Sequence, residues 1–219
     1  MSFKNLGLPA AILAELAKQK YSKPTPIQQE AIPAILSKKD VLGIAQTGSG
    51  KTASFVLPIL TALQKASAQK SRHINVLVLV PTRELAAQVK DAFYTFGAAL
   101  PEPPKTLAVF GGVSINPQMK ALFGVQILVA TPGRLLELVE SKAVHLSAVE
   151  TLVLDEADKM LNLGFEEEMK RIVMLLPKKR QNLLFSATLS DQVNEVTQIL
   201  LDQPVVLKID AERENLDII

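Results

Sequence analysis

Apolar residues along this chain fall into two alternating patterns. Short unbroken runs come first in each repeat: Val41-Leu42-Gly43-Ile44, Asn75-Val76-Leu77-Val78-Leu79-Val80, Thr106-Leu107-Ala108-Val109-Phe110 and Gln126-Ile127-Leu128-Val129-Ala130. Thr151-Leu152-Val153-Leu154, Asn182-Leu183-Leu184-Phe185 and Val205-Val206-Leu207-Lys208-Ile209 complete the set. They are too short for helices and do not alternate with polar residues. A run of this kind predicts a strand covered on both faces, as in a parallel sheet. Between them lie segments with helical periodicity: Ala53 to Leu63, Glu84 to Phe96, Pro132 to Glu140, Phe165 to Leu176 and Asp191 to Leu200. Strand–helix alternation at this spacing predicts an α/β fold with a mainly parallel central sheet and helices on both faces.

The first part of the chain reads differently. Residues 4–20 predict one amphipathic helix, with Leu6, Ile12, Leu13, Leu16 and Ala17 on its buried stripe. Tyr21-Ser22-Lys23-Pro24-Thr25-Pro26 interrupts it. A second helix is expected from Pro26, a favoured first-turn residue, to Leu36. Pro58 is expected to kink the helix it interrupts. One sheet can hold all seven strands, so residues 1–209 read as one domain, and Pro101-Glu102-Pro103-Pro104 as a stiff loop within it.

Composition narrows the function classes. The 219 residues are 48% hydrophobic and 21% charged, which is globular. The net charge of +2 announces no general affinity for nucleic acid, so any such site must be local. There is no cysteine, which excludes thiol chemistry and disulfides. No signal pattern opens the chain, and no apolar run approaches the ~20 residues of a membrane span. A soluble, cytoplasmic protein without a membrane partner is expected.

Candidate chemistry lies where the predicted strands end. After Ile44 come Ala45-Gln46-Thr47-Gly48-Ser49-Gly50-Lys51-Thr52, a glycine-rich turn leading into a helix. Strand, turn, Lys-Thr and helix together predict a phosphate-binding loop, against the alternative of a Gly/Ser loop that happens to end in Lys-Thr. Gly48 and Gly50 can take the angles that aim successive N–H groups at phosphate oxygens. Lys51 adds a point charge for the β- and γ-phosphates, and the Thr52 hydroxyl is a hard ligand suited to Mg²⁺. Ala45 stands where the general pattern has glycine.

Thr151–Leu154 runs into Asp155-Glu156-Ala157-Asp158. An acid at the end of an apolar strand is placed to hold Mg²⁺, which assigns Asp155, and Glu156 is placed to accept a proton from water or orient it. Acidic helix starts also occur for dipole reasons alone. Three further ends carry Pro81-Thr82-Arg83-Glu84-Leu85-Ala86, Gly111-Gly112 and Thr131-Pro132-Gly133-Arg134. Their hydroxyls, glycine N–H groups and arginines suit phosphate oxygens rather than base edges. Each alone also fits ordinary helix capping. After Phe185 come Ser186-Ala187-Thr188, whose hydroxyls can reach Asp155 or Asp158 if the strands are adjacent.

In this order the motifs resemble the DEAD-box ATP-dependent RNA helicase family, over nearly the whole chain and with a bacterial, RhlE-like style. The resemblance implies a RecA-like fold and two ligands, ATP with Mg²⁺ and RNA. It implies an adenine-recognising segment at Tyr21-Ser22-Lys23-Pro24-Thr25-Pro26-Ile27-Gln28, with Phe3 upstream. Within it the Gln28 amide can pair with adenine and Tyr21 can stack on the ring. By the same resemblance Lys51 contacts phosphate, Thr52 and Asp155 organise Mg²⁺, and Glu156 positions water. Pro81, Thr82, Arg83, Gly111, Gly112, Thr131, Gly133 and Arg134 contact an RNA backbone. Asp158, Ser186 and Thr188 couple ATP to strand separation. A second RecA-like domain is expected to complete the ATP site, and residues 210–219 to begin the linker towards it. A phosphate-loop ATPase of another kind, such as a DNA translocase, and a non-enzymatic RNA-binding adaptor are the rival readings.

Overall fold

A computed structural model describes residues 2–66 and 73–209. Its centre is a single sheet of seven strands, β1 (Val41–Ile44), β2 (Val76–Leu79), β3 (Thr106–Val109), β4 (Ile127–Ala130), β5 (Thr151–Leu154), β6 (Gln181–Ser186) and β7 (Val205–Lys208). Their order across the sheet is β3-β4-β2-β5-β6-β1-β7. All six pairings are parallel, with registers such as Leu79↔Leu154, Leu154↔Leu184 and Ile44↔Ser186. The seven apolar runs are therefore the seven strands, with some ends shifted by a residue, and β6 is longer than its run by one residue at each end.

The unbroken runs follow from two cores, one per face. Side chains alternate across a strand with a period of two. Val76 and Val78 enter one core with Val129, Val153, Leu183 and Phe185. Leu77 and Leu79 enter the other with Leu128, Leu152, Leu154 and Leu184. The first core is roofed by α1 (Ala10–Lys18), α2 (Pro26–Leu36), α3 (Lys51–Ala66) and α4 (Arg83–Gly97). The second is covered by α6 (Pro132–Glu140), α7 (Ala157–Asn162), α8 (Glu166–Met174) and α9 (Asp191–Leu200). Short α5 (Ile115–Ala121) stands beyond β3. Gly43 is a packing requirement. A Cβ there would lie 2.5 Å from the Phe185 ring, itself fully buried and tilted against Phe55 with centroids 5.4 Å apart.

One expectation needs correction. Residues 4–20 are not one helix. A 3-10 turn, Phe3–Leu6, ends at Gly7 with φ 79°, and Pro9 caps a separate α1. Gly7 in the left-handed region stops the turn, and the proline fixes where the next helix can begin. The short α5 and α7 were not expected, because six or seven residues carry too little periodicity. The helix through Pro58 continues without interruption to Ala66. Residues 210–219, expected to open a linker, lie outside the described residues. Among the described residues, no helix is long and apolar enough to cross a membrane.

Candidate functional site

Because every strand is parallel, all seven carboxyl ends point to one rim, where ligands of open α/β sheets bind. Strand order then divides that rim. β5, β6 and β1 are consecutive neighbours, and so are β3, β4 and β2. The first set carries the turn after Ile44, the acids after Leu154 and Ser186. The second carries the segments after Leu79, Val109 and Ala130.

In the first half, the loop turns at Gly48 (φ 92°) and Gly50 (φ 91°). Gln46, Thr47 and Gly48 are exposed, and Thr52 is half-buried. Ala45 is buried, and its N–H donates to the Ser186 carbonyl at 3.0 Å, tying the loop to β6. Lys51 opens α3, is almost fully buried, and its Nζ has no hydrogen-bond partner. Ser49 Oγ and Ser186 Oγ are likewise buried and unpartnered. Burying such groups unpaired carries a free-energy penalty of about 1–3 kcal/mol each, more for an ammonium.

Asp155 follows β5 at 2% exposure, and its carboxylate accepts from the Glu156 N–H at 3.0 Å. Burial pushes its pKa up to about 6, against the pull of the Lys51 ammonium. Glu156 occupies the left-handed region (φ 54°, ψ 49°), which costs on the order of 1–2 kcal/mol in a residue with a Cβ. Its Oε2 lies 2.9 Å from Lys159 Nζ. The contact between β6 hydroxyls and an acid forms at Asp158: its Oδ2 accepts from the Thr188 N–H at 3.2 Å and the Thr188 hydroxyl at 3.1 Å.

The segment before the first strand closes over the loop from the α2 side. Thr25 and Gln28 form a capping box, and Gln28 Oε1 accepts from the Thr25 N–H at 3.0 Å. Gln28 Nε2 donates to the Gly50 carbonyl at 3.2 Å, and the Thr25 hydroxyl donates to the Ser49 carbonyl at 2.8 Å. Gln28 is 1% exposed, so its amide serves the loop first; one N–H and one lone pair remain. Thr25 lies in the expected adenine-recognising segment but had no role of its own there, although Thr-x-x-Gln before an apolar run is a readable capping signal. Gly50 is fixed twice over, since a Cβ would sit 2.4 Å from Gln28 Nε2. Phe3 and Tyr21 share a hollow of about 450 Å³ beside α1. Phe3 is largely buried, whereas Tyr21 and Lys23 are exposed and the Tyr21 ring meets Phe96 edge-on at 5.5 Å.

The second half of the rim is more open. Thr82 caps α4, its hydroxyl accepting from the Leu85 N–H at 3.2 Å. Arg83 is exposed and paired with Glu84 at 2.7 Å, and Pro81 is buried. Gly111 and Gly112 are exposed, the latter at φ 79°. Their loop is braced on both sides. Gln118 of α5 accepts from the Phe110 N–H at 3.0 Å and donates to its carbonyl at 3.2 Å, standing in for a further strand. Arg134 donates from Nη2 to the Val113 carbonyl at 2.8 Å and from Nε to Glu137 at 2.8 Å. Thr131 and Gly133 are half-buried beside it. Arg134 thus spends two of its donor groups inside the domain. It is 6% exposed, and its Nη1 is buried without a partner. Nothing in the sequence pointed to Gln118.

Comparison with known proteins agrees with this arrangement. A family profile described as DEAD/DEAH box helicase matches residues 25–196. The DEAD-box ATP-dependent RNA helicase CshA of Streptococcus pneumoniae serotype 4 is 44% identical over all of this chain and 41% of its own length. The ATP-dependent RNA helicase DeaD of Escherichia coli K12 is 43% identical over 96% of this chain and 33% of its own. The crystal structure of a DEAD box protein from the hyperthermophile Methanococcus jannaschii superposes with a TM-score of 0.89 at 34% identity. It covers 97% of this chain and 57% of that one. The chain thus spans about two fifths of the length of the first of these relatives.

Proposed function

This chain belongs to the DEAD/DEAH box helicase family, and on that premise we propose that it is the ATP-binding RecA-like domain of a cytoplasmic, ATP-dependent RNA helicase. The observation that carries the reading is the cluster at the ends of β1, β5 and β6. There Lys51 Nζ, Ser49 Oγ and Ser186 Oγ are buried without partners beside a buried carboxylate whose pKa is raised. A triphosphate satisfies the three donors. Thr52 and Asp155 are the residues that would hold Mg²⁺, whose charge would relieve the burial of the Asp155 carboxylate and neutralise phosphate charge.

Each residue then has a role. The loop N–H groups and Lys51 bind phosphate oxygens. Glu156, turned out by its backbone, orients the attacking water and takes its proton once Lys159 releases it. Gln28 transmits occupancy of the adenine site directly to Gly50. Ser186 lies between the loop and the acids, and Asp158–Thr188 ties β6 to α7, so a change at the phosphates reaches both. Thr82, Arg83 and the N–H groups of Gly111, Gly112 and Gly133 bind the RNA sugar-phosphate backbone without reading bases. Arg134 and Gln118 hold that surface in shape.

A second RecA-like domain supplies the arginines that complete hydrolysis, a contribution worth ~10³–10⁵ in rate in phosphate-loop enzymes. The chain by itself is accordingly expected to bind Mg²⁺–ATP and Mg²⁺–ADP but to hydrolyse slowly and unwind nothing. Calorimetric titration with both nucleotides, followed by a steady-state ATPase assay with RNA, tests this. Failure to bind either nucleotide sinks the ATP-site assignment. Rapid RNA-stimulated turnover by these 219 residues alone sinks the half-site assignment. Stimulation by DNA rather than RNA in the longer protein would return the translocase reading.

A further inference from the structure

The end of the sheet opposite the nucleotide rim carries a feature that the ATP and RNA sites do not use. A cleft of about 960 Å³ opens where β1, β6 and β7 begin. Four lysines, Lys38, Lys39, Lys178 and Lys179, stand exposed around it with the half-buried Arg180. None of the four lysines forms an ion pair among the described residues. The acids in the lining are Asp40 and Asp202. Asp40 is already engaged, accepting from the Asn182 N–H at 2.8 Å, the Asn182 amide at 3.2 Å and the Asp202 N–H at 2.9 Å. The cations are therefore in excess and unneutralised.

Beside them lies apolar surface. The cleft shares Val173, Met174, Ile199 and Leu200 with an adjoining groove of about 410 Å³ between α8 and α9. Met174 is 77% exposed and Ile199 75% exposed, although both lie on helices whose other faces are packed in the core. The far side of that groove carries Glu166, Glu167, Lys170 and Arg171, whose charges are already paired, Arg171 with Glu140. Exposed apolar residues, one strongly basic wall and one wall of paired charges make a directional surface.

We propose that this face docks an acidic amphipathic helix of a protein partner, its apolar stripe on Met174 and Ile199 and its carboxylates towards Lys178, Lys179, Lys38 and Lys39. An apolar stripe in a groove with complementary charge alongside is how such helices are recognised. Two other classes of partner fit less well. A single strand gripped by base stacking needs aromatic rings, and the lining contains none. A membrane surface calls for a convex basic-apolar face, whereas this one is concave. The lysines also face away from the rim that would carry RNA, so they cannot extend that track.

The test uses the chain itself and a fluorescent peptide helix of about 16 residues, roughly 24 Å long, with leucine at i, i+3, i+4 and i+7 and glutamate along one flank. Anisotropy should show saturable binding that weakens as salt is raised. A charge-inverted peptide, with lysine for glutamate, should not bind. The double variant K178E/K179E and, separately, Ile199→Asp should each weaken binding by about tenfold, and Met174→Ser by several-fold. All three sites are on the surface, so melting temperature and ADP affinity should not move. Amide shifts in labelled protein should map to residues 173–180 and 196–203. Binding of a scrambled peptide with equal affinity, or parent-like binding by all three variants, overturns the proposal. So does displacement of the peptide by oligouridylate, or capture by phosphatidylserine vesicles that K178E/K179E abolishes, which would make this an RNA or a membrane face.

Discussion

The two halves of the carboxyl rim, both proposed to bind phosphate, hold their polar groups in opposite ways. Around β5, β6 and β1 the polar groups are buried and left unpaired: Lys51 Nζ, Ser49 Oγ and Ser186 Oγ have no partner, and Asp155 is 2% exposed. Around β3, β4 and β2 the groups that face solvent are ordinary caps and turns. Thr82 caps α4, Arg83 pairs with its neighbour Glu84, and Gly112 makes a turn. The first half holds donors at a free-energy penalty that a bound ligand would relieve, so under the proposed function its binding should be strong and specific. The second half carries almost no such penalty, and its affinity must be summed over many weak contacts. Arg134 belongs to neither pattern, since it is buried like the first half but braces the second.

That contrast can be broken most severely at the buried half. Lys51→Ala should weaken Mg²⁺–ADP by on the order of 100-fold, because a buried charge is removed from its phosphate partner. Calorimetry measures it, and parent-like affinity would show that the unpartnered ammonium serves only the fold. Gly50→Ala must strain φ 91° and displace Gln28, so nucleotide affinity and melting temperature should fall together, by about 1–3 kcal/mol in stability. Retention of either one would separate loop geometry from the Gln28 bridge.

Asp155→Asn sharpens the comparison in the other direction. Burial raises the Asp155 pKa from 3.8 to about 6, so the fold opposes the charged form. At neutral pH this costs on the order of 2–3 kcal/mol, and the loss should shrink as pH falls from 7 towards 4. The asparagine variant should therefore melt several degrees higher than the parent without nucleotide, while losing Mg²⁺-dependent binding. A lower melting temperature would refute the claim that this half stores instability for its ligand.

Smaller effects are expected at the open half. Arg134→Ala should weaken RNA by about tenfold without changing the salt dependence, because the loss comes from slackening the Val113 loop rather than from a phosphate contact. Arg83→Ala should weaken RNA only a few-fold but lower the slope of log affinity against log salt by about 0.7–0.9. If the two variants exchange these signatures, the roles assigned to the buried and exposed arginines are reversed.

The amino-acid sequence by itself determined which segments are strands, because short apolar runs spaced between helical patterns fit a sheet covered on both faces. It also determined the phosphate loop and the acidic strand end, whose residue types and spacing carry their chemistry locally. It misplaced the start of the chain, where Gly7 and Pro9 divide what periodicity reads as one helix. Only the tertiary structure decided how the rim is shared. The order β3-β4-β2-β5-β6-β1-β7 comes from crossovers between distant segments. No local pattern states which strand ends become neighbours. The same limit hid the donor at Gly50, since Gln28 reaches it across 22 positions of chain, and the brace at Val113, which Arg134 reaches across 21. Both arginines look alike in a motif. Burial, a property of the packed whole, separates the arginine at 6% exposure from the one that faces solvent.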